Sequence, residues 1–160
     1  MIGIMADSHD NLQSINLAVR LFNETGCSLV IHAGDFVAPF AARELENLSC
    51  PVKAVFGNCD GEKKGLEKVL QSFGEIKKAP LTFNHENLNF MVTHIPAAHG
   101  SYPASEKYDV IIFAHTHKPE IKRKKKNLLI NPGETGGWVS GKSTVALLDP
   151  KILSVDIITL

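Results

Sequence analysis

The chain has 160 residues, the length of one domain, with 17 basic and 17 acidic residues and 44% hydrophobic residues, a balance that is typical of a globular protein and favours no polyanionic partner. Its longest apolar stretches are far shorter than the roughly 20 residues of a membrane-spanning helix, and its N-terminus lacks the basic region of a signal peptide. The three cysteines form no Cys-x-x-Cys pair, which argues against a disulfide framework or a thiolate zinc site. From the length we expect a single domain covering residues 1–160, and from the cysteines and the N-terminus we expect a cytoplasmic location.

The first half of the chain alternates predicted strands and helices. Asn11 can cap a helix whose apolar residues recur at helical spacing as far as Phe22, and Gly26 can end it. The predicted strands cover residues 1–6, 29–33 and 52–56, and the helices begin near Leu12, Pro39 and Glu62. Such alternation predicts parallel strands with functional groups at their carboxyl ends.

The second half of the chain is richer in strands. A polar turn at residues 84–87 separates two apolar runs and predicts a β-hairpin. Further short strands are predicted at residues 110–114, 120–122, 128–130, 143–148 and 152–159. The basic run 122–126 is expected to solvate a hairpin turn, and nucleic acid binding is the less favoured alternative. A parallel half followed by a β-rich half predicts two packed sheets with helices outside them.

Five short fragments place potential metal ligands directly after predicted strands. They are Asp7-Ser8-His9, Gly34-Asp35, Gly57-Asn58-Cys59-Asp60, Thr93-His94 and His115-Thr116-His117. Taken alone, the first three are also typical of helix caps or tight turns, and His94 is also typical of a structural histidine. Residues two apart on an extended backbone point to the same side, so Asp7 and His9 could share a metal, and so could His115 and His117.

Together these fragments supply seven oxygen or imidazole donors: Asp7, His9, Asp35, Asn58, His94, His115 and His117. This mixture suits Mn, Fe, Zn or Ni better than a metal selected by thiolates. A carboxylate such as Asp35 can bridge two cations, and two divalent cations against two carboxylates leave a positive site for a phosphate ester. Because such cations activate water and stabilise charge on phosphate oxygens, the residues predict a two-metal phosphoester hydrolase.

In this order the fragments resemble the calcineurin-like metallophosphoesterases, whose pattern is Asp-x-His, Gly-Asp, Gly-Asn-His-Asp/Glu, His and Gly-His-x-His. The resemblance covers nearly the whole chain and is closest to the small, single-domain bacterial and archaeal phosphodiesterases, including Asn131-Pro132-Gly133. It implies a four-layer α/β/β/α sandwich of two mixed sheets. It also implies two divalent metal ions, for which manganese is expected and Ni, Fe, Zn and Mg are alternatives.

The resemblance implies roles for single residues. One metal would be held by Asp7, His9, Asp35 and His117, and the other by Asp35, Asn58, His94 and His115. Asp35, as the bridging carboxylate, and Asn58 would serve catalysis, and Asp60 would orient groups around the metals.

The chain departs from the family pattern at three places. Cys59 replaces a histidine that protonates the leaving group in larger phosphatases, so a good leaving group is expected. Ala114 and Ile95-Pro96 replace two glycines. Cys59 and His99 are the candidates for substrate contact, although the favoured interpretation of His99 is a residue that caps a loop. The Gly-rich stretch 133–141, which contains Trp138, is interpreted as an ordinary loop, with packing over the metal site or a subunit contact as alternatives.

The predicted activity is metal-dependent hydrolysis of a small phosphodiester. Hydrolysis of a phosphomonoester or a cyclic nucleotide is an alternative, and a non-enzymatic alternative is an interaction scaffold like the retromer subunit that shares this fold. That scaffold has lost ligand positions, whereas all seven positions carry competent donors here. No membrane partner is expected, and a homo-oligomer of two or more chains is an expectation from the resemblance.

Overall fold

The computed structural model describes residues 1–97 and 107–160. In this part of the chain the helices are α1 (Leu12–Glu24), α2 (Pro39–Arg43) and α3 (Lys63–Leu70), and a 3₁₀ turn (Glu44–Asn47) follows α2. The strands are β1 (Ile2–Met5), β2 (Leu29–His32), β3 (Val52–Val55), β4 (Gly74–Lys77), β5 (Leu81–His85), β6 (Leu88–Val92), β7 (Val110–Ile112), β8 (Glu120–Lys124), β9 (Asn127–Asn131), β10 (Thr144–Asp149) and β11 (Ser154–Thr159). None of the described helices is long and apolar enough to cross a membrane.

The first sheet has six strands in the order β11-β10-β1-β2-β3-β4. Strands β1 to β4 run parallel, and β10 and β11 add antiparallel partners at one side. The predicted alternation of parallel strands and helices is therefore confirmed for the first half of the chain. The sequence did not predict β4, an edge strand in which only Ile76 is fully buried.

The second sheet has five strands in the order β5-β6-β7-β9-β8. Its central strands β6, β7 and β9 are parallel, and both edge strands are antiparallel to their neighbours. The predicted hairpin between β5 and β6 is confirmed, with Glu86 and Asn87 at positive φ in its turn. The basic run also lies on an edge strand and its turn, where Lys125 has φ 54°.

Two apolar clusters hold the layers together. Between the sheets, side chains from both inner faces meet, among them Ile4, Ile31, Phe90, Ile112 and Ile130. On the other face of the first sheet, helix residues such as Phe22, Leu45 and Leu66 pack against the strands. The two packed mixed sheets of the expected four-layer α/β/β/α sandwich are thus confirmed, and the described helices lie on the outer face of the first sheet.

Helix α1 follows its predicted pattern closely. Asn11 caps it by accepting a hydrogen bond from Ser14 N, and Gly26 follows its end at φ 63°. Of its predicted apolar face, Phe22 is buried, but Leu12 is exposed. The Phe40 side chain of α2 is also exposed, so both leave apolar surface in contact with solvent.

Candidate metal centre

The predicted donor fragments follow the carboxyl ends of five strands. In the first sheet β1, β2 and β3 are neighbours, and in the second sheet β6 and β7 are neighbours. The donors that follow these strands are Asp7, Asp35, Asn58, His94 and His115. Because Asp35 Oδ2 lies 3.3 Å from His94 Nε2, the strand ends of both sheets meet at one edge of the sandwich.

A first group of donors is formed by Asp7, His9 and His117, whose ligand atoms lie within 4.8 Å of one another. Asp7 Oδ1 is 4.0 Å from His9 Nε2 and 3.8 Å from His117 Nε2, and the two imidazole rings stack. Asp7 Oδ1 and His9 Nε2 are buried and have no hydrogen-bond partner among the described residues. Burial also raises the pKa of Asp7. Since unpaired buried polar atoms are costly, these donors fit a bound cation.

A second group surrounds His94. Its Nδ1 lies 2.9 Å from the Ala33 carbonyl oxygen, which can only accept a hydrogen bond, so Nδ1 carries the proton in the neutral ring. In this neutral form, the one that binds a metal, its Nε2 presents a lone pair on the side of Asn58 Oδ1 at 2.8 Å and Asp35 Oδ2 at 3.3 Å. The Asn58 amide nitrogen faces Cys59 Sγ, which fixes the oxygen toward His94. Three acceptors that converge in this way also fit a cation.

Asp35 lies between the two groups. Its Oδ2 is 3.6 Å from His9 Nε2 and 3.3 Å from His94 Nε2, and its Oδ1 accepts a hydrogen bond from Cys59 N. Burial opposes ionisation of Asp35, but hydrogen bonds from the protonated form of the His94 ring and from the Cys59 amide outweigh burial and lower its pKa. The same carboxylate outweighs the burial of His94 and raises the pKa of that ring. Asp35 is therefore an ionised side chain within reach of both groups.

His115 borders the second group without joining it directly. Its ring meets the His94 ring edge-on with centroids 5.2 Å apart, and its backbone N–H donates to Asp7 Oδ2. Its imidazole nitrogens belong to none of the donor clusters found among the described residues.

Left-handed backbone turns, rather than extended segments, present these donors. The φ angles are 49° at Asp7, 40° at His9, 60° at Asp35, 70° at His115 and 58° at His117. The expectation that Asp7 and His9, or His115 and His117, share a side because the backbone is extended is therefore wrong, although Asp7 and His9 do meet. Non-glycine residues with such angles are strained and tend to cluster at functional sites.

A family model described as the calcineurin-like phosphoesterase superfamily domain matches residues 1–151. The chain belongs to this superfamily. Phosphodiesterase MJ0936 from Methanocaldococcus jannaschii is 38% identical over 154 residues, covering 92% of each chain. A solved structure of an archaeal phosphodiesterase has a TM-score of 0.90 and 35% identity, covering 99% of each chain. Membership makes the protein a phosphoesterase that uses divalent metal ions.

A more distant structural neighbour is Vps29 from Chaetomium thermophilum. Its TM-score is 0.68 at 16% identity, and the match covers 99% of this chain and 95% of that one. A likeness at this identity shows a shared fold alone, so it does not weaken the assignment as a phosphoesterase.

Asp60 of this phosphoesterase forms hydrogen bonds to the backbone of two loops that carry donor residues. Its buried carboxylate accepts four backbone hydrogen bonds: Oδ1 from Phe36 and Val37, and Oδ2 from Asp35 and Gly57. The loop that follows β2 is thereby tied to the loop that follows β3. With both oxygens engaged by amides, Asp60 holds the backbone of Asp35 in place, and its role in orienting the metal site stays a prediction.

Glu134 is a site residue that the sequence analysis missed. Its fully buried carboxylate lies 3.1 Å from His117 Nδ1 and accepts hydrogen bonds from Val139 N and Ser140 N. Burial opposes its ionisation, but the hydrogen bonds from Ser140 and Val139 lower its pKa. Such a carboxylate fixes the orientation of a ligating imidazole. The sequence feature that could have indicated Glu134 is its position, because it also follows the end of a strand, β9.

His32 is a fully buried histidine at the end of β2, separated by one residue from the Gly34-Asp35 fragment. Its Nδ1 accepts a hydrogen bond from Gly34 N, and its Nε2 lies 3.1 Å from Ser8 Oγ. Burial lowers its pKa to about 3, so the ring is neutral near pH 7. It links the two loops that carry Asp7 and Asp35.

The two predicted substrate contacts differ in outcome. Cys59 is exposed, and its Sγ forms a donor cluster with His9 and Asp35. Desolvation and the nearby Asp35 carboxylate raise the pKa of this thiol to about 11. His99 lies outside the described residues.

Proposed function

We propose that this protein hydrolyses small phosphodiesters with two divalent metal ions, and that Mn²⁺ is the preferred ion. The observation that carries the proposal is the place of Asp35 Oδ2, within 3.6 Å of His9 Nε2 and 3.3 Å of His94 Nε2. One carboxylate that faces two separate imidazoles is suited to bridge two cations. The name of the 38% identical relative, a phosphodiesterase, supports a diester as the substrate.

In this proposal each ion takes four protein ligands. The first would be held by Asp7, His9, Asp35 and His117, and the second by Asp35, Asn58, His94 and His115. Oxygen and imidazole ligands favour manganese, with Ni, Fe, Zn and Mg as alternatives. For the first set, the support is the pair of unpartnered buried atoms on Asp7 and His9. For the second set, it is the lone pair that His94 Nε2 presents to Asn58 and Asp35.

In this proposal the metal ligands are held and oriented by neighbouring residues that do not bind the metals. When bound, the two cations supply an activated water and neutralise charge on the phosphate oxygens. Asp35 and Asn58 are held in place by the Cys59 amide and the Cys59 thiol, respectively. Asp60 and Glu134 orient Asp35 and His117 from outside the donor set.

Cys59 is exposed beside His9 and Asp35, at the position where larger phosphatases of this pattern carry the histidine that protonates the leaving group. Without metal, burial and the nearby Asp35 carboxylate raise the pKa of this thiol to about 11. A thiol is a weak hydrogen-bond donor, so it offers less help to a departing alkoxide than an imidazolium would. We therefore expect faster hydrolysis of diesters with good leaving groups, such as aryl diesters.

The test is the Asp35→Asn variant assayed on bis(p-nitrophenyl) phosphate with Mn²⁺. Manganese should stimulate the wild-type enzyme, and Asp35→Asn should abolish the activity because a bridging carboxylate is lost. The matched control is Asp156→Asn, which removes an exposed carboxylate of β11 and should leave the rate unchanged. Activity that survives in Asp35→Asn would refute the two-metal proposal.

The scaffold alternative makes the opposite prediction for metal content. We propose the enzyme because all seven donor positions carry competent ligands, whereas the structural likeness to Vps29 extends to the fold alone. Metal analysis of protein purified without chelator separates the two functions. If no divalent metal is bound and none can be loaded, the scaffold is the better explanation.

Further features of the sequence-based hypothesis remain proposals. We propose that residues 1–160 act as one domain, since both sheets contribute to the buried cluster between them. A small diester is preferred over nucleic acid, because the basic run lies on the edge strand β8 and its turn. A cytoplasmic location and a homo-oligomer also stay predictions.

A further inference from the structure

Trp138 is an exposed aromatic residue at the border of the metal centre. It is the single tryptophan of the chain, and 66% of its surface is exposed. Its indole N–H donates a hydrogen bond to the His9 carbonyl oxygen at 3.0 Å. One end of the indole is thus fixed to a residue whose ring stacks with His117 in the first donor group.

The loop that carries Trp138 is held tightly against the loop of Asp7 and His9. Gly136 N donates to the Asp7 carbonyl oxygen, and the Asn11 side chain donates to the Gly136 carbonyl oxygen. A Cβ atom on Gly136 would lie 2.8 Å from the Ser8 carbonyl oxygen, so the approach requires glycine. Several contacts therefore fix the position of the indole, although most of its surface is exposed.

The remaining surface of this indole is suited to one kind of ligand. Its only polar group, the N–H, is already hydrogen-bonded to the His9 carbonyl oxygen, so the aromatic faces are the surface that a ligand can contact. Aromatic faces bind other flat rings by stacking, with little dependence on the identity of the ring. An exposed large aromatic side chain next to a phosphate site is suited to bind a ring attached to that phosphate, because the ring removes apolar surface from water.

We propose that Trp138 is a stacking platform for an aromatic group of the phosphodiester, a nucleobase or an aryl ring. This inference rests on the proposed function, because it places the phosphate at the neighbouring metal centre. It assigns the substrate class as diesters with at least one aromatic ester group. Trp138 binds this group and contributes to specificity, without taking part in the bond cleavage.

The test uses matched ligands that differ only in the ring. Calorimetry on the Mn²⁺-loaded protein compares AMP with ribose 5-phosphate, and phenylphosphonate with methylphosphonate. We expect the ring-bearing ligand of at least one pair to bind about tenfold more tightly, as stacking on an aromatic side chain does in single-strand binding. The first pair reports a nucleobase and the second a simple aryl group. Binding is measured without turnover, so failure of diester hydrolysis is a separate result.

Variants then assign the preference to the indole. Trp138→Ala should remove the ring preference and leave the affinity for the ring-free ligands unchanged, and Trp138→Phe should keep most of it. The matched control is Ile152→Ala, which truncates an exposed apolar residue in the turn between β10 and β11. Quenching of the single tryptophan by AMP or phenylphosphonate would report the contact directly.

Three results would overturn the proposal. The first is equal affinity of the wild-type protein for ring-bearing and ring-free ligands in both pairs. The second is an equal loss for both ligand types in Trp138→Ala, which indicates a structural role. The third is a concentration-dependent blue shift of tryptophan emission together with a dimer mass that Trp138→Ala abolishes, because then a second copy of the chain covers the indole.

Discussion

Replacing Asp60 by asparagine is expected to destabilise the protein and to weaken metal binding, although Asp60 is not among the proposed ligands. Each carboxylate oxygen accepts two backbone N–H groups, at 2.8 and 2.8 Å for Oδ1 and at 3.1 and 2.7 Å for Oδ2. An asparagine side chain offers one oxygen and one NH₂ group. Whichever oxygen the NH₂ group replaces, two backbone N–H groups then face this NH₂ donor and lose their acceptor.

The magnitude follows from the two lost hydrogen bonds. A hydrogen bond to a charged group contributes about 1.5–3 kcal/mol, so losing two costs about 3–6 kcal/mol. Typical domains are stable by about 5–15 kcal/mol, so the variant should unfold at much lower urea concentration. The released loop contains Asp35 at φ 60° and Val37 at φ 79°, and relaxation of these strained angles moves the bridging carboxylate.

Urea unfolding followed by circular dichroism measures the stability, and calorimetric titration with Mn²⁺ measures the affinity. The control is Asp149→Asn, because Asp149 accepts a single backbone hydrogen bond at an exposed turn, from Lys151 N. That change should cost less than about 1 kcal/mol. A loss below about 1 kcal/mol in Asp60→Asn, with unchanged affinity for Mn²⁺, would refute the reasoning.

Two further substitutions separate the metal centre from the packing. Glu134→Gln removes the carboxylate that orients His117 Nδ1 and should lower metal affinity about 10- to 100-fold in a competition assay with a chelating dye; an unchanged affinity would argue against this role. Gly3→Ala places a Cβ atom 2.6 Å from a ring carbon of Phe22 and should cost about 1–3 kcal/mol of unfolding free energy, with metal affinity preserved. Gly61→Ala is its control, since a Cβ atom there meets nothing within 4 Å, and equal stability of the two variants would contradict the packing argument.

The sequence predicted the main architecture because strong apolar runs mark the buried strands. Strand β2 is fully buried and flanked by turn residues, so its position was clear from the pattern. Strand β4 escaped notice because Gly74, Glu75 and Lys77 surround a single buried isoleucine. Its place in the sheet depends on pairing with β3, which no local pattern reports.

The donor residues were predictable because each follows a strand, but their backbone conformation was not. Asp7 N donates to the Gly34 carbonyl oxygen and His9 N to the Asp35 carbonyl oxygen. These hydrogen bonds between loops hold the left-handed angles, and they join residues far apart in the chain. A local rule for extended segments therefore brought Asp7 and His9 together for the wrong geometric reason.

Glu134 illustrates what lay beyond the pattern. It stands in a Gly-rich stretch that reads as an ordinary loop, and its importance comes from contacts with His117 and Val139 that only the fold creates. The same stretch brings Trp138 to His9. Long-range loop packing, rather than local propensity, determines these supporting parts of the site.

The central claim is that two cations share Asp35, and anomalous diffraction from crystals loaded with Mn²⁺ tests it most directly. We predict two peaks about 3.5–4 Å apart, with the Asp35 carboxylate as a ligand to both. One peak should also contact Asp7, His9 and His117, and the other should contact Asn58, His94 and His115. A single peak, or two peaks of which one does not contact Asp35, would contradict the account.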